Sequence, residues 1–280
     1  MPDHSILSPH DLFDRLGTAG APVVIDVRTN EDFDADPRLI PASIRRPGLQ
    51  AATWAADFQG REVVISCDRG LKISQGATAW LRHAGAEAAS LEGGFQAWKA
   101  AGLPLVPQAK LPPRDAEGRT LWVTRARPKI DRIACPWLIR RFVDPNAVFL
   151  FVEASQATAV AERFGATPFD IEGVFWSHRE ERCTFDTMVE EFGLGTDTLG
   201  RLAAIVRGAD TGRPDLAPEA AGLLAASLGL SRMYEDDLAQ LEAGMALYDA
   251  FYRWARDAAA ETHTWPAAAS EVRNVHYGSR

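Results

Sequence analysis

The sequence predicts an α/β fold, a parallel sheet flanked by helices, followed by a mixed, mainly helical second domain. Three observations carry that prediction. Over the first hundred residues, short apolar runs (Pro22 to Val27, Glu62 to Ser66) alternate with helical patterns (Ser8 to Leu16, Ser74 to His83), the order that builds parallel strands joined by helical crossovers. The pattern then breaks at "PLVPQAKLPPRDAEG", a stretch with four prolines and few large apolar residues, which reads as a linker. Beyond residue 184 the apolar spacing becomes mainly helical.

A chain of 280 residues exceeds the usual domain of about 100–150 residues, so two units with separate cores are expected. The boundaries read as 1–106, a linker 107–119, a second domain 120–260 and a tail 261–280 with little periodicity. In the second domain "TLWVTR" and "AVFLFVE" read as strands. Thr184 is placed to cap "FDTMVEEF", Asp197 to cap "TLGRLAAIVR", and Pro218 stands near the start of "EAAGLLAASL". A last helix, roughly 235–260, puts Leu238, Leu241, Met245, Tyr248 and Tyr252 on one stripe. The aromatic group Tyr248, Phe251, Tyr252 and Trp254 reads as core or as a homodimer surface.

Hydrophobic residues make up 46% of the chain, yet no run approaches the ~18 apolar residues that span a bilayer. The N-terminus lacks a basic segment followed by an apolar one, so a cytoplasmic location is expected and a membrane partner is not. A net charge of −8 argues against broad nucleic-acid binding. Three scattered cysteines, Cys67, Cys135 and Cys183, suit neither a disulfide framework nor a CxxC zinc site, so each is read as a thiol.

Cys67 stands out. It follows the apolar run Val63-Val64-Ile65 and opens "CDRGLK", just before a helical pattern. A strand that ends in a Gly-containing loop and enters a helix turns successive backbone N–H groups into one concavity. Asp68, Arg69, Gly70, Leu71 and Lys72 form that candidate anion loop, and the electropositive setting favours thiolate over thiol. The alternative is a buried thiol that serves as a small hydrophobe at a strand end.

The surrounding segments separate these readings. "VVIDVRTNEDF" (23–33), "LIPASIRRP" (39–47), "VVISCDRG" and "LEGGFQAW" (91–98) resemble, in order and spacing, a rhodanese sulfurtransferase domain. The resemblance implies that Cys67 carries sulfur as a persulfide taken from thiosulfate or another sulfane donor, with a thiol or cyanide as acceptor and no cofactor. It gives Asp26 and Arg28 a structural part and sets the "LEGGF" turn beside the active loop. The related phosphatase chemistry would want an arginine six residues after the cysteine, where this sequence has Ile73.

The second half resembles another family. "TRARPKIDRIACPWLIRRFVDPNAVFLFV" (124–152), "SHREERCTFDTMVEEFGL" (177–194), "AIVRGADTG" (204–212) and "LEAGMALYDAFYRWAR" (241–256) are similar to the chromate-resistance domain of B-type chromate-resistance proteins. That resemblance implies a part in chromate sensing or tolerance. Chromate is a tetrahedral dianion, which arginine and helix-start donors can hold, so Arg125, Arg132 and His178 are the oxyanion candidates. Their alternative is simpler, with Arg132 in an ion pair with its neighbour Asp131. His178, Cys183 and Asp186 form a second candidate set, for a metal of unspecified identity, with Asp210 able to complete it. Cys135, ahead of Pro136 in an apolar helical segment, is expected to be buried and inert. Two functions follow: a Cys67 sulfurtransferase linked to chromate resistance, or a chromate-sensing, oxyanion-binding regulator with an accessory rhodanese domain.

Overall fold

The computed structural model describes residues 6–261; the expected tail therefore lies almost wholly outside the described residues. The strands in chain order are β1 (Ile6–Leu7), β2 (Val23–Asp26), β3 (Arg38–Leu39), β4 (Ile44–Arg45), β5 (Glu62–Ser66), β6 (Glu87–Leu91), β7 (Val106–Pro107), β8 (Leu121–Arg125), β9 (Val148–Val152) and β10 (Thr167–Pro168). The α-helices are α1 (Pro9–Phe13), α2 (Asn30–Ala35), α3 (Ala51–Trp54), α4 (Lys72–His83), α5 (Gly94–Ala100), α6 (Asp131–Leu138), α7 (Ala157–Phe164), α8 (Thr184–Glu191), α9 (Asp197–Asp210), α10 (Ala220–Met233) and α11 (Asp237–Arg253).

The predicted α/β architecture is present. Five strands form a sheet in the order β1-β6-β5-β2-β4, with every pairing parallel. Alternation along the strands splits its apolar residues between two faces. Val24 and Val64 join Leu12, Leu16, Phe95 and Trp98 on one side; Ile25, Val63 and Ile65 join Trp54, Phe58, Ala77 and Leu81 on the other. Both faces are covered, as an all-parallel sheet requires. The two predicted strands of the second half, β8 and β9, pair in parallel and are joined by β10 in a three-stranded sheet. Helices α6 and α8 to α11 supply most of the core packed beside it.

Two caps differ from the sequence reading. The N-cap of α8 is Cys183, not Thr184: its amide donates to Asp186 Oδ2 at 3.1 Å in a capping box. The N-cap of α9 is Thr196, whose hydroxyl accepts the Leu199 amide at 3.2 Å. Thr196 is extended at ψ 160°, which is the geometry a cap needs. On α11, Leu241, Met245, Tyr248 and Tyr252 are buried, while Leu238 is exposed. Tyr248 and Tyr252 pack around Trp137, which makes the aromatic group core.

The segment read as a linker is fastened at both ends. Val106 pairs with Leu39 across the antiparallel β3–β7 ribbon. Lys110 pairs with Glu191 at 2.6 Å, and Arg114 with the fully buried Asp144 at 3.1 Å. The halves also touch directly: the Ala42 amide donates to the Phe142 carbonyl at 2.7 Å. Gly17, at φ +73°, sits against Phe142 and Tyr252, and a Cβ there would lie 2.6 Å from Tyr252 Cε1. Gly17→Ala is therefore expected to destabilise the protein by about 3 kcal/mol, from left-handed backbone strain plus overpacking. Urea unfolding checks this, and an unchanged midpoint would contradict the packing at this contact.

Arg28 is buried and pairs with Asp26 at 2.6 Å, donates to the Asp36 and Arg38 carbonyls, and stacks 3.7 Å from the Phe95 ring centre. This is a structural role of the kind the resemblance implies. Nearby, hydrogen bonds from Arg38 and then Lys99 hold the Asp36 carboxyl well below its ordinary range. A depressed pKa contributes stability above the unfolded value of about 3.9 that is lost as pH falls through and below it. The destabilisation caused by Asp36→Asn should thus shrink as pH drops from about 5 towards 3. Urea midpoints of both proteins across that range measure it.

Candidate functional sites

Strand β5 ends at Ser66 and delivers Cys67 to the carboxyl edge of the sheet, where ligands of open α/β sheets bind. Cys67 is 5% exposed, and its thiol donates to Ser74 Oγ at 3.3 Å. Ser74 in turn donates to the Leu71 carbonyl at 2.9 Å. The first hydrogen bond of α4 runs from the Gln75 amide to the Leu71 carbonyl, so the amides just before it have no helical acceptor.

The loop is locked from outside by the turn after β6. The Phe95 amide donates to the Cys67 carbonyl at 2.9 Å, and the Gln96 amide to the Asp68 carbonyl at 3.0 Å. Gln96 also donates to Asp68 Oδ1 at 2.7 Å. Gly70, Gly93 and Gly94 all have φ between +62° and +69°. A Cβ on Gly70 would stand 2.6 Å from the Leu91 carbonyl and 2.9 Å from the amides of Gly93 and Gly94. Asp68 meets Arg69 at 3.4 Å, and Arg69, Leu71 and Lys72 are exposed at the loop rim. Ser74 was missed in the sequence reading: a serine in the first turn of a helix carries no signal of contact with a thiol seven residues earlier.

The second constellation differs from the one the sequence suggested. His178 Nε2 lies 3.2 Å from Asp210 Oδ2, 3.4 Å from Asp170 Oδ1 and 3.5 Å from Asp131 Oδ2. Cys183 and Asp186 do not join it. The Cys183 thiol, fully buried, donates to Asp186 Oδ2 at 3.3 Å, and Asp186 Oδ1 accepts from Arg207 at 2.6 Å. Burial pushes the Cys183 thiol well up, with like charge from Asp131 adding to it. Cys135 is likewise buried, as expected for it, and burial likewise pushes its thiol up. The set His178, Cys183 and Asp186 is thus replaced by His178 with three aspartates, because Cys183 and Asp186 are consumed in capping α8.

The arginines are also redirected. Arg125 and Arg132 approach the same atom, Asp170 Oδ2, at 3.4 and 3.3 Å. A carboxylate occupies the position an oxyanion would need, so the cradle expected of Arg125, Arg132 and His178 is lined with negative groups. The pairing of Arg132 with Asp131 is replaced too, since Arg132 turns to Asp170.

Local structure explains why these groups meet. The loop before α6 is clamped: Ser227 Oγ accepts the Ile130 amide at 3.1 Å, Tyr248 donates to the Ile130 carbonyl at 3.0 Å, and Gln240 donates to the Pro128 carbonyl at 2.5 Å. Asp131, first residue of α6, accepts the Thr184 amide at 2.6 Å and so also faces the start of α8. Asp170 holds φ +51° after β10, tied by its amide to the Trp176 carbonyl. Its Oδ1 accepts the Thr184 hydroxyl at 2.9 Å. Hydrogen bonds to Asp131, Asp170 and Asp210 push His178 up to about 12. Burial raises the Asp131 carboxyl. For Asp170 burial is outweighed by hydrogen bonds from His178 and Thr184, which leave it lowered. Asp170 gave no sequence signal, because a lone aspartate in "PFDIEG" looks like a turn residue.

Comparison with known proteins follows the same division. Residues 8–101 match the family model described as Rhodanese-like domain, and residues 122–255 that described as ChrB, C-terminal domain. The chain therefore carries a rhodanese-like domain ahead of a ChrB-type C-terminal domain. Over 142 residues it is 37% identical to Protein ChrB of Cupriavidus metallidurans, an alignment covering 50% of this chain and 42% of that protein. The chain thus spans less than half the length of this curated relative. Among solved structures, a rhodanese-related protein from Thermoplasma volcanium is 26% identical over 36% of this chain and 95% of its own, with a TM-score of 0.31. A thiosulfate sulfurtransferase from Pseudomonas aeruginosa is 27% identical over 37% of this chain and 19% of its own, with a TM-score of 0.32. No helix among the described residues is long and apolar enough to cross a membrane.

Proposed function

We propose that the protein is a sulfurtransferase in which Cys67 carries a sulfane sulfur, acting in a process linked to chromate resistance. The observation that carries this reading is the placement of Cys67 at the end of β5. Its side chain lies at a loop whose amides, from Asp68 to Leu71, precede the first helical hydrogen bond, and the Gly93-Gly94 turn holds that loop in shape. The Cys67 thiolate attacks the outer sulfur of thiosulfate; a Cys67 sulfur–sulfur bond forms, the donor's sulfur–sulfur bond breaks, and sulfite leaves with the electron pair. An acceptor thiolate or cyanide then attacks the outer persulfide sulfur and returns the Cys67 thiolate.

Each residue has a task in this scheme. The amides from Asp68 to Lys72 hold the anionic donor, as amides at a helix start do. Arg69 and Lys72, exposed at the rim, attract a dianion from solution. The Ser74 hydroxyl, 3.3 Å from Sγ, turns from the Leu71 carbonyl to donate to the thiolate once the thiol proton is lost. The protein incubated with thiosulfate should gain the mass of one sulfur atom when analysed intact, carry it on the Cys67 peptide after digestion, and release sulfite. No gain of mass on that peptide would remove the proposal.

A further inference from the structure

We infer that Asp131, Asp170 and His178 form a binding site for a divalent first-row transition cation. One ligand atom from each lies within 4.8 Å of the other two. Ligands at bond lengths of about 2.0–2.2 Å around a tetrahedral ion stand about 3.4 Å apart. The separations of His178 Nε2 from Asp170 Oδ1 and Asp131 Oδ2 are 3.4 and 3.5 Å.

A cluster of acids alone would not carry this inference; the state of Asp131 does. Its side chain has no exposure; Oδ2 faces His178 and accepts the Thr184 amide, while Oδ1 of the same carboxyl has no hydrogen-bond partner among the described residues. A buried carboxylate oxygen left unpaired is costly, and a cation beside it removes that cost. The remaining contacts hold the ligands rather than block them. Thr184 donates its amide to Asp131 and its hydroxyl to Asp170. Arg125 and Arg132 approach Asp170 through Oδ2, leaving Oδ1 towards His178. Such outer contacts orient ligands in metal sites.

The donor set indicates the kind of ion. One imidazole and two carboxylates, without thiolate, suit Mn2+, Fe2+ or Zn2+ better than Cu+, and the imidazole disfavours Mg2+ and Ca2+. His178 is 41% exposed, so the site opens to solvent on that side and leaves coordination positions free for water or a ligand. Asp210, 3.2 Å from His178 Nε2, stands beside the imidazole as a further carboxylate. The site draws on other residues than the Cys67 loop, and its carboxylates offer ligand atoms to a cation where the arginines alone had suggested an anion.

The full chain, stripped with chelator and passed through a desalting column, is dialysed in turn against Mn2+, Zn2+ and Mg2+ and analysed for metal. Uptake of about one Mn2+ or Zn2+ per chain is expected, as for a three-ligand open site, with none for Mg2+. The Mn2+ complex should show the electron paramagnetic resonance of a bound ion. His178→Gln, which alters an exposed side chain, should weaken binding by at least about tenfold, whereas Cys67→Ser and Cys183→Ser should not. Asp170→Asn, checked for an unchanged circular dichroism spectrum, should do the same as His178→Gln. Absence of Mn2+ and Zn2+ uptake by the unaltered protein overturns the inference. So does uptake that survives both His178→Gln and Asp170→Asn, or that disappears in Cys67→Ser.

Discussion

Cys67→Ser protein incubated with thiosulfate is expected to gain no sulfur, and its transfer of sulfur to cyanide should fall by at least about 10³-fold, the scale on which loss of a nucleophile acts. Its melting temperature should stay close to that of the parent. Serine is close to cysteine in shape, fits the Cys67 place in the core and can keep a hydrogen bond to Ser74, which the thiol meets at 3.3 Å. Thiocyanate formation and thermal melting measured on the same preparation separate lost chemistry from lost folding. Retained transfer would mean that the sulfur is carried elsewhere, although Cys135 and Cys183 are 0% exposed against 5% for Cys67.

Gly94→Ala should lose the same activity by a different route. Gly94 is at φ +62°, and a Cβ there would stand 2.5 Å from the Gly70 amide and closer still to the Cys67 carbonyl oxygen. Neither neighbour is a flexible side chain, so the active loop or the turn must move. Left-handed strain and overpacking together cost about 3 kcal/mol, which lowers the melting temperature by roughly 12–24 °C for a unit of about 100 residues. Because the Phe95 amide is hydrogen-bonded to the Cys67 carbonyl, displacement of the turn reaches the nucleophile directly. A Gly94→Ala protein with parental melting and parental sulfur transfer would show that the turn does not shape the loop.

Cys67 and its loop lie within one strand, turn and helix, so "VVISCDRGLK" holds the thiol, the flexible glycine and the helix start in order. The site at His178 has no such continuity. Its groups come from the start of α6, the loop after β10, the loop before α8 and the end of α9. Spacing in sequence suggested His178 with Cys183 and Asp186 because they are near neighbours. The capping box of α8 instead takes both residues for its own amides.

Local pattern settles whatever depends on neighbours along the chain. The alternation of apolar runs and helices implied a parallel sheet, and the run Val63 to Ile65 implied a strand ending at Cys67, since side-chain period and strand length are properties of the segment itself. The partners of charged groups are another matter. Arg125, Arg132 and His178 looked like a cradle for an anion when read as isolated cations. Packing of α6 against α8 and α9, with the loop after β10, brought Asp131, Asp170 and Asp210 to them and offset their positive charge with carboxylates. Electrostatic character is a sum over groups near in space, and aspartates as far apart in sequence as Asp131 and Asp210 enter that sum only once the chain has folded.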